Sequence, residues 1–600
     1  IVVTAGNAAW DASIDLDTTG ANEHWRIRVE GSDGTFQIGN VDQGGASAIS
    51  IHPTTKDVSV VSLNGIPFFS DATNNSMYTH DVSGTDDTAQ YNTAYGFAAL
   101  DAITTGDQNV AIGYNALTAN TTGFGNTVMG AFAGDALAGG ARNVAIGNLA
   151  LSTEDAHGKN VAIGYTALTA QDAGADAYNV AVGYEAGKAV TTGIKNTSIG
   201  ARTMQATTVG QENVALGYQA MYTNVDGSKC VAIGANALLT QDPASAVDMY
   251  NVAVGYNAGY AMTTGINNTL IGSLAGDALT TGSGSVALGY NALGSTTTAI
   301  ENVAIGINAL VANVDGAKNV AVGSYALTAL DPASATDMYN VAVGHQAGTA
   351  MTTGTRNTVI GSLAGDALTT GESNAVLGYA ALSTETITGR VVAIGYNTLA
   401  NQRSDSHTYN VAVGYQTGTA VTTGTVNVLI GGFAGDALTT GSGNIAIGYE
   451  ALSTEDTGGR NTAIGFGALK IANYDGNAYN IAVGYAAGTA ITTGQANVVM
   501  GGLAGYNLST GHNNVAIGMQ ALENEDANGY NVAVGSEALQ TLNAGADAYN
   551  TAVGFQAGHL MTTGTDNTLI GGFAGDALTT GIYNVAIGRS ALSLEDAYGY

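Results

Sequence analysis

The histidines and acidic residues of this chain are of the types that metal binding or catalysis would need. Eight histidines are scattered along the chain, with no metal-ligand spacing between any two of them: His24, His52, His80, His157, His345, His407, His512 and His559. We therefore expect these histidines to have solvent-facing or packing roles.

Three Glu-Asp pairs recur at a constant spacing, at 455–456, 525–526 and 595–596. Calcium prefers carboxylate and carbonyl oxygens, but it takes several of them at once. One pair with backbone carbonyls is an incomplete shell unless neighbouring chains contribute. The pairs are therefore predicted to lie in solvated loops, with calcium binding as the alternative.

Two further patterns point to chemistry only superficially. The glycine-rich string Gly282–Gly289 looks like a phosphate loop, but it lacks the following helix and lysine. Thr-Thr-Gly triplets, such as 352–354, 422–424 and 439–441, suggest ice binding as an alternative function. An ice-binding face needs alternating threonines in every repeat, whereas here the threonines are adjacent and many repeats lack them. With no paired carboxylates placed for a depolymerase, we predict no enzymatic activity, no metal and no cofactor.

The composition excludes other classes of protein. Glycine supplies 85 of 600 residues and charged residues only 10%, with 16 basic against 47 acidic side chains and a net charge of −31. Such a chain repels nucleic acid and anionic lipid, and no stretch has the roughly 20 apolar residues of a membrane helix. Cys230 is the one cysteine, so no intrachain disulfide forms. Because Ile1 is not a methionine and Tyr600 ends inside a repeating pattern, we expect a fragment or a processed chain.

An internal repeat dominates the sequence. The pattern Asn-x-x-aliphatic-Gly defines 29 register glycines from Gly96 to Gly588, whose sequence numbers mostly rise in steps of 17, with some steps of 19 or 21. The longer steps are themselves periodic, since Gly344, Gly414, Gly484 and Gly554 stand 70 residues apart, so the 17-residue coil is nested in a 70-residue superrepeat of four coils. We number each coil from its register glycine as position 0; Asn stands at −4 in 26 coils and Ala at +3 in 26.

These positions carry the predicted structural roles. Glycines at position 0, and second glycines at +10 or +11, are expected at corners that need positive φ or a close backbone approach. The asparagines are expected either to hydrogen-bond along the axis as a ladder or to cap their local turns. The residues that we single out for these turns and this ladder are Gly113, Gly130, Gly147, Gly164, Gly183, Gly431, Gly448, Asn109, Asn143, Asn160, Asn427 and Asn444.

The repeat predicts an all-β fold. Runs such as Val-Ala-Ile suit strands of four or five residues, and a strand, a corner, a second strand and a corner in each 17-residue coil make an elongated parallel β-solenoid. Coils would stack at about 4.8 Å. We divide the chain into a β-rich non-repeat region, residues 1–90, which holds both tryptophans, and a repeat shaft of 29 coils, residues 91–600.

Both faces of the short strands are apolar, because the residue at −2 between two aliphatic residues is usually Ala. One 17-residue coil has too little perimeter to cover its second face, so another chain is expected to cover it. Where −2 is large, +1 is small, as with Leu429 and Gly432 or Val499 and Gly502, which we interpret as volume exchange in one core; Val376 beside Tyr379 is an exception. Three-fold intertwining is favoured over two-fold.

Coils such as Asn109–Gly125 and Asn427–Gly443 resemble the β-repeats of bacteriophage tail fibres. They are also similar to the roll repeats in the heads of trimeric autotransporter adhesins, whose repeat is shorter. The resemblance spans residues from about 92 to 600. Both families imply a homotrimer.

We therefore expect a structural fibre protein of the virion, the shaft or adhesive part of a tail fibre that mediates host attachment. The alternative is a trimeric adhesin head on the bacterial cell surface. The expected partners are further copies of this chain, a host cell-surface receptor with glycans among the candidates, and other tail proteins. Loops in the longer coils, such as 240–250 and 328–339, are expected to protrude and to serve spacing, regular decoration or recognition.

Overall fold

The structure, a computed structural model, describes residues 88–594 without a break, residues 75–79, and short strands between residues 12 and 71. It divides into two units, Ile1–Asn267 and Asn268–Tyr600. The first nine strands are β1 (Ala12–Asp17), β2 (His24–Val29), β3 (Phe36–Asn40), β4 (Ile49–Ile51), β5 (Val58–Val60), β6 (Ser62–Leu63), β7 (Ile66–Pro67), β8 (Phe69–Asp71) and β9 (Ser76–Tyr78). β1 to β5 pair antiparallel in chain order.

The repeat forms stacked coils in each unit. Strands of the first unit are β10 (Thr93–Tyr95), β11 (Val110–Ile112), β12 (Thr127–Met129), β13 (Val144–Ile146), β14 (Val161–Ile163), β15 (Val180–Val182), β16 (Thr197–Ile199), β17 (Val214–Leu216), β18 (Gly227–Ser228), β19 (Val231–Ile233), β20 (Val247–Asp248) and β21 (Val252–Val254). β9 pairs antiparallel with β8 and parallel with β10, so it joins the N-terminal region to the first coil.

The second unit contains β22 (Thr269–Ile271), β23 (Val286–Leu288), β24 (Val303–Ile305), β25 (Gly316–Ala317), β26 (Val320–Val322), β27 (Thr336–Asp337), β28 (Val341–Val343), β29 (Thr358–Ile360), β30 (Ala375–Leu377), β31 (Val392–Ile394), β32 (Val411–Val413), β33 (Val428–Ile430), β34 (Ile445–Ile447), β35 (Thr462–Ile464), β36 (Ile481–Val483), β37 (Val498–Met500), β38 (Val515–Ile517), β39 (Val532–Val534), β40 (Thr551–Val553), β41 (Thr568–Ile570) and β42 (Val585–Ile587). No described residue lies in a helix, and hence no described helix could cross a membrane.

Each coil places its main strand directly over the strand of the next coil. Ala111 pairs in parallel with Val128, and Val428 with Ile445, so equal positions face each other. The all-β parallel solenoid of 17-residue coils is confirmed. The strands span only positions −3 to −1, three residues instead of the expected four or five.

The expected second strand of each coil is wrong for most of the repeat. Positions +1 to +6 form turns, and these turns stack through backbone hydrogen bonds, as from Leu117 N–H to the Ala133 carbonyl at 3.1 Å. Within residues 88–594, a second parallel strand pair occurs beside the 21-residue coils, as β18 with β20 and β25 with β27. The reason is that residues with left-handed backbone conformation, at +2 and +4, bend this part of the coil too tightly for a second strand.

The corners are made by residues with positive φ. Gly113 has φ +137°, and a Cβ there would stand 2.5 Å from the carbonyl oxygen of Gly130 in the next coil, so only glycine fits. Left-handed residues that are not glycine follow at +2 and +4, such as Asn115 (φ 56°) and Leu117 (φ 52°), and another at +12, such as Gln108 (φ 60°). These positions were not predicted as corners, because nothing in their side chains requires αL.

Each coil encloses its own core. The side chains at −2, +3, +4 and +7, which we call the inner columns, point inward; Ala111, Ala116 and Leu117 are fully buried. Volume is exchanged among these positions: where −2 is large, +4 is glycine in every coil except that of Val376. A Cβ at Gly276 would stand 3.0 Å from Leu270 Cδ2 in the same coil.

This geometry corrects the expected exchange between −2 and +1. Leu429 is fully buried inside its coil, whereas Tyr415 and the other aromatic residues at +1 are exposed. The two positions therefore share no core. The glycine that accommodates Leu429 is Gly435 at +4, whose Cβ would stand 2.9 Å from Leu429 Cδ2.

Candidate functional site

The asparagines at −4 form hydrogen bonds along the axis, and their second hydrogen bond crosses the interior of the coil instead of capping a local turn. Asn109 Oδ1 accepts the backbone N–H of Asn126 in the next coil at 3.0 Å, and Asn109 Nδ2 donates to the Gly123 carbonyl of its own coil at 2.8 Å. The first bond links coils along the axis, and the second braces each coil across its interior. Both side chains are buried, and these bonds satisfy polar groups that would otherwise be costly to bury.

The other asparagines singled out from the sequence share the axial hydrogen bond, whereas Asn160 Nδ2 makes no bond across its coil. Their backbone N–H groups donate to the Oδ1 atom of the preceding asparagine, at 2.9 Å for Asn143, Asn160, Asn427 and Asn444. Direct amide-to-amide bonds are added at intervals, for example from Asn126 Nδ2 to Asn109 Oδ1 at 3.1 Å.

The register glycines singled out from the sequence all have positive φ. The values are +137° for Gly113, +142° for Gly130, +134° for Gly147, +139° for Gly164, +143° for Gly183, +130° for Gly431 and +138° for Gly448. They lie one above another within each unit and turn the chain out of the strand. The roles of these glycines and asparagines are architectural.

Outside the coil, positions −3, −1 and +1 form three further columns, which we call the outer columns. The −3 and −1 side chains are half-buried or exposed, with Ile430 37% and Leu377 44% exposed. They are almost all Val, Ile, Leu, Met or Thr, and Arg589 is the single formally charged residue in the three columns over all 29 coils. A chain with net charge −31 thus keeps one repeated face nearly free of charge.

Aromatic rings at +1 stack along the axis. A continuous run joins Tyr379, Tyr396, Tyr415, Phe433, Tyr449, Phe466 and Tyr485, with ring centroids 5.3 to 5.8 Å apart. Phe433 belongs to position +2 and fills the gap left by Gly432 at +1. A small residue at +1 is here compensated by a large residue at +2, outside the core rather than within it.

In five of the six longer coils, a basic residue of the preceding coil stands over a tyrosine of the loop. Lys318 Nζ lies 2.6 Å from Asp337 Oδ2 and stands over the ring of Tyr339, 5.4 Å from its centroid. The hydrogen bond between the two charged groups lowers the pKa of Asp337 and raises the pKa of Lys318. The same Lys-Asp-Tyr arrangement recurs at Lys159 and Lys229. Because the same contacts recur from loop to loop, they favour a role of these loops in spacing or regular decoration over a unique recognition pocket.

The threonine triplets do not form a free hydroxyl array. Thr422 Oγ1 donates to the carbonyl of Thr439 in the next coil at 3.1 Å, whereas the following residue, Thr423, is exposed. One of the two hydroxyls of this triplet is thus used to join coils. This disfavours ice binding.

The Glu-Asp pairs at 455–456 and 525–526 are not simply solvated, contrary to expectation. Glu455 occupies position +7 and is fully buried, with Oε1 accepting the Gly458 N–H at 2.7 Å and Oε2 the Tyr474 N–H at 3.4 Å. Burial raises the pKa of Glu455, and these hydrogen bonds oppose that rise. The glutamate points inward because +7 is an inner column, a fact that the polar residue type conceals. The pair at 595–596 lies outside the described residues.

Among the histidines that the structure describes, His157 lies beside two carboxylates. Glu154, Asp155 and His157 bring one ligand atom each within 4.8 Å of one another. A search for pairs of histidines misses this cluster, because it contains a single imidazole. His407 and His559 each approach a glutamate only at 3.8 Å.

A shallow surface depression of about 270 Å³ is lined by Thr425, Val426, Ser442, Gly443, Arg460 and Asn477. Its basic group is engaged, because Arg460 donates to the hydroxyl of Tyr479 at 2.6 Å. The lining contains no nucleophile beside a base. Comparisons with family models, curated proteins and solved structures found no match to this chain.

Proposed function

We propose that this chain is a structural fibre protein, the shaft or adhesive part of a bacteriophage tail fibre, which assembles as a homotrimer. In this role it would span from the virion to a host cell-surface receptor and would have no enzymatic activity. The resemblance of its repeats to phage fibre repeats supports this assignment. The alternative from the same resemblance is the head of a trimeric bacterial surface adhesin.

The observation that carries the assembly proposal is the nearly charge-free outer surface. Apolar side chains that remain 37–44% exposed, such as Ile430 and Leu377, recur along the repeat, and large exposed apolar faces mark interaction sites. A second copy of a strongly acidic chain can approach this surface without placing like charges opposite each other. Cyclic symmetry would cover the face on every copy equally.

The mass of the native particle tests the assembly. We expect three times the chain mass of 59.9 kDa in mild buffer, measured by native mass spectrometry or sedimentation. Replacing Ile394, Ile430 and Ile447 together with Glu should release single chains whose β-rich circular dichroism is unchanged. The matched control replaces the exposed threonines Thr370, Thr423 and Thr440 with Glu, which adds the same charge outside the outer columns and should leave the trimer intact.

A monodisperse single chain of 59.9 kDa for the unmodified protein would refute the trimer. Equal dissociation of both triple variants would instead attribute the effect to added charge. The location of the protein is tested separately by immunogold electron microscopy with antibodies against the repeat. Gold on phage tails supports the fibre proposal, whereas gold on bacterial cells in the absence of particles supports the adhesin.

Receptor contact is proposed for the exposed surface of the fibre rather than for one pocket. In the run from Tyr379 to Tyr485, interplanar angles of 10–16° describe face-to-face stacking of Tyr379, Tyr396 and Tyr415 and of Tyr449, Phe466 and Tyr485. Stacked rings offer mainly their edges, so sugar rings have little free aromatic face there.

An assay against a panel of polysaccharides tests the proposal that the chain has no enzymatic activity. Turnover of a polysaccharide that is lost on replacing one carboxylate would contradict that proposal.

A further inference from the structure

The coil that contains Glu154 differs from the otherwise similar coils in what surrounds the inward glutamate. Glu154 is fully buried at position +7, and its Oε1 accepts the backbone N–H of His157 at 3.1 Å. Its Oε2 is buried without a hydrogen-bond partner, and so is Nδ1 of His157. Buried polar atoms without partners are rare and call for an explanation, such as an ion.

The residues that carry these two atoms belong to one small cluster. His157 Nδ1 lies 3.6 Å from Glu154 Oε1, and Asp155 contributes an exposed carboxylate, so that three ligand atoms fall within 4.8 Å. The His157 side chain is 31% exposed, which leaves a path from solvent to the cluster. An imidazole nitrogen with two carboxylates is a donor set suited to zinc and similar divalent transition ions.

Backbone hydrogen bonds hold the ligand residues in place. The carbonyl of Asp155 accepts the N–H groups of Ala138 and Gly139 at 2.7 and 2.9 Å, and the carbonyl of His157 accepts a hydrogen bond from Asn143 Nδ2 at 3.3 Å. The segment is therefore fixed by the neighbouring coil and by the asparagine ladder. Fixed ligands lower the cost of ordering the site around an ion.

Coils elsewhere in the chain provide internal comparisons. Glu385 Oε1 accepts three backbone N–H groups, from Thr386, Ile387 and Thr388, and its Oε2 accepts that of Ser404. The amide of Asn528, which occupies the position of His157, donates to its own coil's glutamate, Glu525, at 2.7 Å. Glu525 Oε2 is buried without a hydrogen-bond partner, like Glu154 Oε2, so the Glu154 coil differs from the Glu525 coil in the side chain beside the glutamate: a histidine nitrogen instead of an amide N–H.

We propose that Glu154, Asp155 and His157 bind one divalent transition-metal ion, with zinc as the expected class and water completing its coordination. The ion would satisfy the two buried atoms and would neutralise the buried carboxylate. The bound ion would stabilise one corner of one coil, and this role does not depend on the proposed fibre function.

Calorimetric titration of the tag-free chain with Zn²⁺ tests the site, and Co²⁺ absorption in the visible region reports its geometry. We expect one saturable site per chain. His157→Asn should weaken binding by more than about tenfold, since loss of even an outer-shell partner costs that much. This variant is expected to fold, because asparagine occupies the equivalent position 528.

Asn528→His provides the converse variant, because it places a histidine beside Glu525 and Asp526 and should raise the stoichiometry from one ion to two. His407→Asn, which changes a histidine near a single glutamate, should leave binding unchanged. Absence of saturable binding in the unmodified chain would overturn the proposal. Equal affinity of the His157→Asn variant would do so as well, whether or not the position-528 variant folds.

Discussion

The inner and outer columns belong to the same three-residue strand, yet they are filled under different constraints. Inside, size is limited: Leu429 at −2 coincides with Gly435 at +4 and Ala111 at −2 with Leu117, although Ala412 at −2 also coincides with a glycine, Gly418. In the outer columns, the size of the side chain at +1 varies from glycine, as at Gly432, to tyrosine, but charged side chains are almost completely absent. Close packing within a coil therefore fixes the inner residues, and we attribute the outer pattern to contact with further copies.

The largest effect is expected where the backbone itself requires glycine. Gly431→Val would place a β-branched residue at φ +130°, with its Cβ 2.5 Å from the Gly448 carbonyl oxygen. We expect a loss of roughly 3 kcal/mol or more of local stability, measured by hydrogen exchange at coils around position 431. Gly502→Ala is the control, because nothing lies within 4 Å of the added Cβ; equal exchange in the two variants would contradict this reasoning.

The next effect tests volume exchange in the inner columns. Leu429→Ala should create a cavity and cost about 2–5 kcal/mol of stability. Adding Gly435→Leu together with Leu438→Asn should restore part of that loss, because Leu438 Cδ1 would otherwise stand 2.8 Å from the added Cβ, and the Leu117 coil combines leucine at +4 (φ 52°, against 55° at Gly435) with Asn120 at +7. A double-mutant cycle between Leu429→Ala and this pair of substitutions, measured by hydrogen exchange, gives the coupling, and strict additivity would argue against a shared core.

The periodicity was sufficient to predict the stacked coils and the register glycines, because these depend on residues that recur at fixed spacing, but it did not distinguish an asparagine ladder from local capping. The direction of the strand faces could not be read from Val-Ala-Ile, since both faces are apolar. Left-handed corners at residues such as Leu117 were equally hidden, because leucine has no preference for αL. The inward Glu455 was missed for a related reason: its carboxylate is satisfied by backbone N–H groups that sequence does not display.

A smaller effect is expected in the outer columns. Tyr415→Ala removes ring contacts with Tyr396 and Phe433, whose centroids lie 5.3 and 5.4 Å away, and should cost about 1 kcal/mol in local stability. The matched control is Tyr218→Ala, because Tyr218 has Ala201 and Ala235 at the same position in the adjacent coils. Hydrogen exchange of the surrounding coils should accelerate more for Tyr415→Ala than for Tyr218→Ala. Equal acceleration in the two variants would mean that ring stacking contributes nothing.

The smallest effect concerns pH and the polar residues of the inner columns. Burial raises the pKa of Glu455 above the value of 4.5 that it has when unfolded, so the native coil holds its proton to a higher pH. The resulting stability is fully present below pH 4.5 and is lost as pH rises through the raised pKa. Hydrogen exchange across this range should show that dependence in the native protein and less of it in Glu455→Gln. Glu301→Gln, at an exposed site, should leave the dependence unchanged, and a Glu455→Gln profile that parallels the native one would show that another group is responsible.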